Sequence, residues 1–312
     1  MGARAVAWVF QSVAMTAPII VTGGCGFIGS HVVRALRERG DDVVIFERQG
    51  CWDFVECCPD VPKAVIHLGA VTSTTETDVA LVLESNQLLS AKVWKYCRDN
   101  GVPLIYASSA SVYGCGLRGF SECLPLDMNL PLGLYADSKR WFDNYILHQC
   151  PQTSPPRWHG LRLFNVYGDG EQHKQAQQSV VSKWIRSALA GGPIELFEGS
   201  QEFRRDFVLV DDVVRVILWA LDNQPPNGIY NVGTGETATF AEAADAVRWG
   251  LNDVGRYGRK PTTIPMPDNV SAHYQKRTKA NIAKLRTAGY DAPFLDIFEG
   301  ARLTAQRIAG AQ

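Results

Sequence analysis

The sequence predicts an α/β fold: a doubly wound parallel sheet lacking one outer strand, followed by a smaller C-terminal α/β unit. Three observations predict it. Short β-branched apolar runs alternate with amphipathic stretches through the first half of the chain, the pattern of parallel strands joined by crossover helices. The first run, Ile19 to Val21, leads into glycines at 23, 26 and 29 and then an amphipathic stretch from His31 to Arg39, which reads as strand, tight turn, helix. Only about 17 residues then separate Glu47 from the strand at Val65. A full doubly wound sheet needs roughly twice that length for helix, strand and helix, so the strand outside strand two is expected to be missing.

The elements follow in order. Strand one is Ile19–Val21 and strand two Val43–Phe46, with Gly40 stopping the helix between them. Ala64–Leu68 reads as a strand, Thr72–Asp78 as a polar loop and Val79–Asp99 as one long helix stopped by Gly101. Leu104–Ser108 is the next strand, Pro131–Gln149 a helix starting near Gly133, and Leu161–Val166 a strand turned away by Gly168–Gly170. Beyond Glu171 the alternation weakens. Helices are expected over Ser179–Ala190, Asp212–Asn223, Thr239–Leu251 and Thr278–Ala288, the last stopped by Gly289. Strands are expected over Ile194–Glu198, Phe207–Val210, Gly228–Val232 and Thr262–Pro265. The division is a dinucleotide-binding domain over 15–170, to which 207–235 returns, and a substrate domain over 171–206 and 236–312. Residues 1–14 read as a disordered extension, too short in apolar core for a signal peptide.

Composition bounds the function. The chain of 312 residues has 46% hydrophobic residues and a net charge of −1. That balance gives no reason for a nucleic-acid or anionic-membrane partner, and no apolar run reaches the ~20 residues of a membrane span. The eight cysteines are scattered without zinc-ligand spacing, so no metal is expected; they read as reduced thiols of a cytoplasmic protein.

The glycine turn carries the first chemistry. Gly23 permits the turn, Gly26 lets the backbone approach a pyrophosphate, and Gly29 lets helix pack on strand. The helix N-terminus then offers N–H groups and a positive dipole end to the anion. Glu47, at the end of strand two, stands at the spacing of a ribose-binding carboxylate. Together these describe a Rossmann-like dinucleotide site, against the blander reading of a turn without a ligand.

Tyr135 and Lys139 stand at i and i+4 of a helix and so share one face. A nearby fixed cation favours a phenolate and lowers its pKa, which prepares the phenol to exchange a proton with a hydroxyl. By spacing alone this pair is equally a piece of surface packing. Upstream, Tyr106 to Ser109 ends a strand, and ligands bind at the carboxyl ends of such strands. Ser109 there can bond a substrate oxygen or simply cap a turn.

The glycine turn, Ser109, Tyr135 and Lys139 together resemble the extended short-chain dehydrogenase/reductases, within the NAD-dependent epimerase/dehydratase family. Further segments are similar to the ADP-glycero-manno-heptose 6-epimerases: Ser73–Glu76, Phe164–Gly168, His173-Lys174, Phe197–Ser200, Arg204–Phe207 and Ala288–Tyr290. The resemblance runs from about Pro18 to about Phe298, except for the short segment after Glu47. It implies epimerisation at C6'' of the heptose by transient oxidation and re-reduction with a bound nicotinamide cofactor. It also implies two proton-transferring groups on opposite sides of that carbon, which map to Tyr135 and Lys174.

The resemblance implies further roles. Gly23, Gly26, Phe27, Ile28 and Gly29 would form the cofactor turn, with Leu68, Gly69, Ala70, Thr72, Lys139 and Val166 beside the dinucleotide. Glu47 and Arg48 would hold the adenosine ribose. A carboxylate alone favours NAD, while Arg48 would pair with a 2'-phosphate, so NADP is expected and NAD is the alternative. Asn165 would hold the substrate, Phe197, Glu198, Gly199, Ser200 and Arg205 would grip its diphosphate, and Tyr274 would close the site. Ala176 stands where the family has a substrate-binding Ser, and Lys183 where it has a His. The resemblance also implies a nucleotide-sugar substrate and a homo-oligomer. Two alternatives stay open: a C4-epimerase of a UDP- or dTDP-sugar, and a cofactor-poor, non-catalytic member of the fold.

Overall fold

A computed structural model of the chain describes residues 17–47, 53, 61–123, 131–149, 156–266 and 275–311. The N-terminal extension, Arg48 and Tyr274 lie outside the described residues, as does most of the short segment after Glu47. Ala176 is described for its backbone alone.

The first half is built from β1 (Ile19–Thr22), α1 (Phe27–Glu38), β2 (Val43–Phe46), β3 (Ala64–His67), α2 (Val79–Val82), α3 (Leu89–Asn100), β4 (Leu104–Ser109), α4 (Leu134–Gln149) and β5 (Trp158–Leu163). There follow β6 (Asn165–Tyr167), α5 (Val180–Leu189), β7 (Glu195–Phe197), β8 (Arg204–Arg205), β9 (Phe207–Leu209), α6 (Val210–Asn223) and β10 (Gly228–Val232). The chain ends with β11 (Ala238–Thr239), α7 (Phe240–Asp253), β12 (Thr262–Ile264), α8 (Ala283–Thr287) and α9 (Ile297–Gly310).

Six strands form one sheet in the order β10-β5-β4-β3-β1-β2, and every pairing in it is parallel. Among the described residues β2 is the edge, as the short spacing after Glu47 predicts. The central strands β1 and β3 are buried along their whole length because both faces are covered. On one face Val21, Ile66, Ile105 and Leu161 pack with Val32 and Leu36 of α1 and Val213 and Ile217 of α6. On the other, Ile20, Val65, Leu104 and Tyr106 pack with Val93 and Trp94 of α3 and Phe142 and Ile146 of α4. The chain runs outward from β1 to β2 and then crosses back to β3 on the other side of β1. The sheet therefore has its switch point between the carboxyl ends of β1 and β3, where open α/β sheets bind ligands.

A second core joins Trp184 and Ile185 of α5, Leu196 of β7, Phe240 and Val247 of α7, and Ala301, Ala305 and Ile308 of α9. Strand β9 stitches the two cores together by its period of two: Val208 enters the first, and Phe207 and Leu209 enter the second.

Four expectations are corrected. The strand foreseen over Leu161–Val166 is two strands. Phe164 N–H donates to Val232 O (3.0 Å), and the chain then leaves the main sheet so that β6 pairs with β9. The long helix foreseen over Val79–Asp99 is interrupted by a π-helical turn, Leu83–Leu88. The helix foreseen over Thr278–Ala288 is reduced to Ala283–Thr287. Its first residues bond elsewhere: Thr278 N–H goes to Arg204 O (3.0 Å), Asn281 N–H to Phe120 O (3.2 Å) and Ala280 N–H to an Asp206 carboxylate oxygen (3.0 Å). Helix α9, which the sequence reading does not assign, is capped by Asp296 and buries Ala301, Thr304, Ala305 and Ile308.

Candidate active site

The glycine turn sits at the switch point. Gly23 has φ +70°, and a Cβ there would lie 2.7 Å from Gly69; only glycine adopts that conformation cheaply and leaves room for the neighbouring turn. A Cβ on Gly29 would lie 2.0 Å from Gly23 O, so the helix packs on the strand only because Gly29 has none. Helix α1 begins without a side-chain cap and without an acidic residue in its first turn. Its first N–H groups and dipole therefore present an anion position that no side chain of the helix itself caps, which fits a dinucleotide pyrophosphate. The Glu47 carboxylate reaches back from β2 to accept from Cys25 N–H at 2.8 Å.

A buried histidine fixes the other side of this crevice. His67 lies between Thr22 Oγ1 (2.7 Å from Nδ1) and Ser90 Oγ (2.9 Å from Nε2), and Gly69 N–H points at Thr22 Oγ1 (3.3 Å). Burial drives His67 down to about 3, with Lys139 adding to the fall, so it ties the ends of β1 and β3 together as a neutral ring. Leu68, Gly69 and Ala70 are half-buried after β3, and Thr72 is exposed.

One strand over, Ser109 ends β4 and caps the short 3-10 turn Ala110–Tyr113. Its hydroxyl accepts from Ser111 Oγ at 2.9 Å and is hydrogen-bonded to the Tyr135 phenol. Tyr135 and Lys139 share a face of α4, but the Lys139 ammonium donates to Ala107 O (2.9 Å). Burial pushes the Tyr135 phenol up, and the bond to Ser109 pulls it back. The expected fall in the phenol's pKa from Lys139 is thus not the balance of this site, where desolvation dominates. Lys139 is itself lowered to about 8 by burial, against the pull of Asp143 one turn further along α4. Asp143, fully buried, also accepts from Tyr106 OH, Ser108 Oγ and Arg162 Nε, at 3.0, 3.0 and 2.9 Å.

Lys174 lies on the 3-10 turn Gln172–Gln177. Its ammonium is 4.9 Å from the centre of the Phe27 ring and 2.9 Å from the buried carboxylate of Glu171. Phe27 is the first residue of α1, so the structure brings Lys174 to the glycine turn rather than into bulk water. Phe27 also lies against Gly168, and Ile28 is half-buried beside it.

The remaining predicted residues gather after β6 and along β7 and β8. Asn165 Nδ2 donates to Asp206 O (3.1 Å) and Thr278 Oγ1 (2.9 Å), and Val166 is half-buried beside it. Gly199 takes φ +74° in the turn after Phe197 and Glu198, where Ser200 Oγ donates to Phe197 O (2.7 Å). Arg205 is 6% exposed, with its guanidinium over the Phe240 ring at 5.5 Å. Lys183 is exposed on α5. A hollow of about 280 Å³ lined by Trp141, Tyr145 and His148 lies on the face of α4 opposite Tyr135 and Lys139, away from these groups.

Sequence reasoning missed three buried side chains that hold the site. Asn86, in the π-helical turn, clasps Val71 through both backbone groups (2.8 and 2.9 Å) and donates to Ser138 Oγ (3.0 Å). It thereby couples the loop after β3 to the helix carrying Tyr135. Asp206 accepts from Thr234 N–H, Thr234 Oγ1, Gly235 N–H and Ala280 N–H. Glu171 organises the Lys174 turn. No local signal marks them: Asn86 stands between Ser85 and Gln87, Asp206 follows Arg204 and Arg205, and Glu171 precedes Gln172 and His173.

Comparison with known proteins places the chain in a family. The model of the NAD dependent epimerase/dehydratase family matches residues 19–233. A protein of Alkalilimnicola ehrlichii named ADP-L-glycero-D-manno-heptose-6-epimerase is 38% identical over 323 residues, covering 94% of this chain and 98% of that one. Among solved structures, the Helicobacter pylori ADP-L-glycero-D-manno-heptose-6-epimerase superposes with TM-score 0.79 at 24% identity, covering 95% and 97% of the two chains. The Thermus thermophilus UDP-glucose 4-epimerase, solved with NAD, does so with TM-score 0.76 at 29% identity, covering 95% and 100%. Within the described residues no helix is long and apolar enough to cross a membrane. By the glycine turn, the parallel sheet and the extent of these matches, the chain belongs to the NAD dependent epimerase/dehydratase family.

Proposed function

We propose that the chain interconverts the C6'' epimers of ADP-glycero-manno-heptose, with Tyr135 and Lys174 as its two proton-transferring groups. The observation that carries this reading is the position of Lys174. Its ammonium lies on the Phe27 ring at the glycine turn, so a second proton carrier stands at the cofactor crevice in addition to Tyr135. When bound, the dinucleotide supplies reversible hydride acceptance. Tyr135 takes the proton from the sugar hydroxyl through its Ser109-bonded oxygen, and Lys174 returns a proton from the other side of the carbon. Ser109 orients the oxygen that reacts. Lys139, cationic below about 8, puts positive charge on the same face of α4 and so favours the phenolate form of Tyr135 that accepts this proton.

The finer assignments follow. NADP is the dinucleotide of choice: Glu47 is engaged by Cys25 N–H, and Arg48 supplies the cation for a 2'-phosphate. Residues 171–206 and 236–312 bind the substrate, with Asn165 toward the sugar and the Phe197–Ser200 turn and Arg205 toward the diphosphate. Ala176 and Lys183 alter the sugar contacts, and Tyr274 covers them. The chain associates with copies of itself through the exposed apolar side chains Val79, Leu83, Leu88 and Trp141 of the packed α2–α4 face. Light scattering of the purified chain checks that association, and a monomer at tens of micromolar would refute it.

The test offers the purified chain with NADP each C6'' epimer of ADP-heptose and follows the epimer ratio by NMR. Convergence from both sides to one ratio is the expected result. Turnover of UDP-galactose without turnover of ADP-heptose would move the assignment to a C4-epimerase. A chain that binds neither NADP nor NAD would be the non-catalytic alternative.

A further inference from the structure

We propose that Glu171 is the positioning residue for Lys174: its buried carboxylate aims the ammonium at the Phe27 ring and so at the reacting carbon. The proposal rests on the assignment of Lys174 made above and adds the group through which that lysine is held.

Three observations carry it. Glu171 is fully buried, in a turn that otherwise exposes Gln172, His173, Gln175 and Gln177. A carboxylate is buried only when its oxygens are satisfied, and here each one is. One oxygen accepts from Lys174 Nζ (2.9 Å) and Ser179 N–H (2.8 Å). The other accepts from Ser179 Oγ (2.6 Å) and lies 2.8 Å from Ser182 Oγ. The backbone closes the same way, with Lys174 N–H donating to Glu171 O at 3.0 Å. The segment is thus clipped at both ends by one side chain.

The second observation is strain at the adjacent residue. Gln175 has φ +48° and ψ −118°, a conformation that costs a residue with a Cβ and persists only where the surroundings impose it. The kink lies between the two points that Glu171 holds, Lys174 and Ser179. The third is the company of charges. Asp169 precedes the clip and is met by His31 of α1 and Arg307 of α9, while Arg186 of α5 faces both Asp169 and Glu171. Asp169 thus already has a cation of its own from α9, Arg307, whereas Lys174 is held by Glu171. Positioning of a reacting group to within a fraction of an ångström is worth orders of magnitude in rate, and this clip supplies it for a flexible lysine on a loop.

The experiment has two arms. The first uses the full chain without substrate and measures how fast an amine-acylating reagent labels Lys174, read by peptide mass spectrometry. Glu171→Gln, nearly isosteric, is expected to raise that rate several-fold. Ser179→Ala loosens the clip without touching the ion pair, and is expected to lower Tm and to raise the labelling of Lys174 by less than Glu171→Gln does. Equal labelling in wild type and Glu171→Gln would overturn the proposal, as would Ser179→Ala matching the effect of Glu171→Gln. The second arm is a double-mutant cycle on epimerisation. Glu171→Gln is expected to lower kcat about 10- to 100-fold with KM moved less than about threefold, and to cost less than about twofold once Lys174 is Met. Glu171→Asp should recover part of the lost kcat. Full additivity in the cycle would overturn the proposal, because a residue acting only through the fold costs as much with or without Lys174. Absence of ADP-heptose turnover by the intact chain would sink the substrate reading instead and leave the labelling arm to decide Glu171.

Discussion

Tyr135, Lys174 and Asp206 show how much of this protein turns on single polar groups. Tyr135→Phe removes the proton carrier but keeps the ring, and Lys174→Met keeps the stem without the charge. Each is expected to lower kcat by about 10²–10⁴, the usual weight of general acid–base catalysis, and the double variant to abolish epimerisation; a single variant within tenfold of wild type would refute the two-group assignment. Asp206 acts differently. It satisfies three backbone N–H groups and the Thr234 hydroxyl from two segments. Asp206→Ala leaves those buried donors unpaired at about 1–3 kcal/mol each, so chemical denaturation should show a loss of at least about 3 kcal/mol. Neither Asp206 nor Glu171 is conspicuous in the sequence, because a carboxylate in a polar stretch looks solvated until the chain folds over it.

Among the elements, the interrupted helix between β3 and β4 is the most informative. Its π-helical turn, Leu83–Leu88, turns Asn86 inward to the loop after β3 and to α4. π-turns often accompany functional sites for this reason. Asn86→Leu removes three hydrogen bonds and is expected to lower kcat/KM about tenfold or more through misplacement of α4, with only modest loss of stability; an unchanged kcat/KM would show that the coupling does not matter. Helix α7 behaves as sequence rules require. Thr239 and Glu242 form a full capping box, and Thr239→Ala should cost about 1 kcal/mol in thermal unfolding. The periodic patterns of α1, α5, α6 and α7 were legible because each buries one stripe. The shortened helix at Ala283–Thr287 was not, because Asp206 and Arg204, distant in sequence, take the backbone bonds that a longer helix would use.

For the molecule as a whole, two buried histidines set the acid response. Burial holds His67 near about 3 and His159 near about 4, both below the ordinary value near 6.5. Between those values the unfolded chain binds more protons than the folded one. Stability is therefore expected to fall as pH drops from about 6.5, by about 1.4 kcal/mol for each pH unit that separates a histidine's folded and unfolded values. Asp206 and Glu122, whose carboxyls burial pushes up, act in the opposite sense and soften the fall. Denaturation between pH 7 and pH 4 should show the slope, and His67→Gln should flatten it; an unchanged slope in that variant would remove His67 from the account. At the other end, Lys139 near about 8 gives up its proton more easily folded than unfolded. Its deprotonation adds stability as pH rises from about 8 toward the ordinary lysine value near 10.4.

The sequence by itself determined the class of sheet, the glycine turn at its head, the edge that β2 forms among the described residues and the face shared by Tyr135 and Lys139. All of these rest on local rules: apolar periodicity, the steric freedom of glycine, chain length between strands and the rise of a helix. Only the tertiary structure decided that Lys174 leaves a Gln-rich loop for the ring of Phe27, that Asp206 and Glu171 are hubs rather than surface charges, and that burial outweighs the Ser109 hydrogen bond at the phenol. Those outcomes depend on which groups lose water and on partners far away in sequence, as Asp206 and Ala280 are, and no local pattern records either.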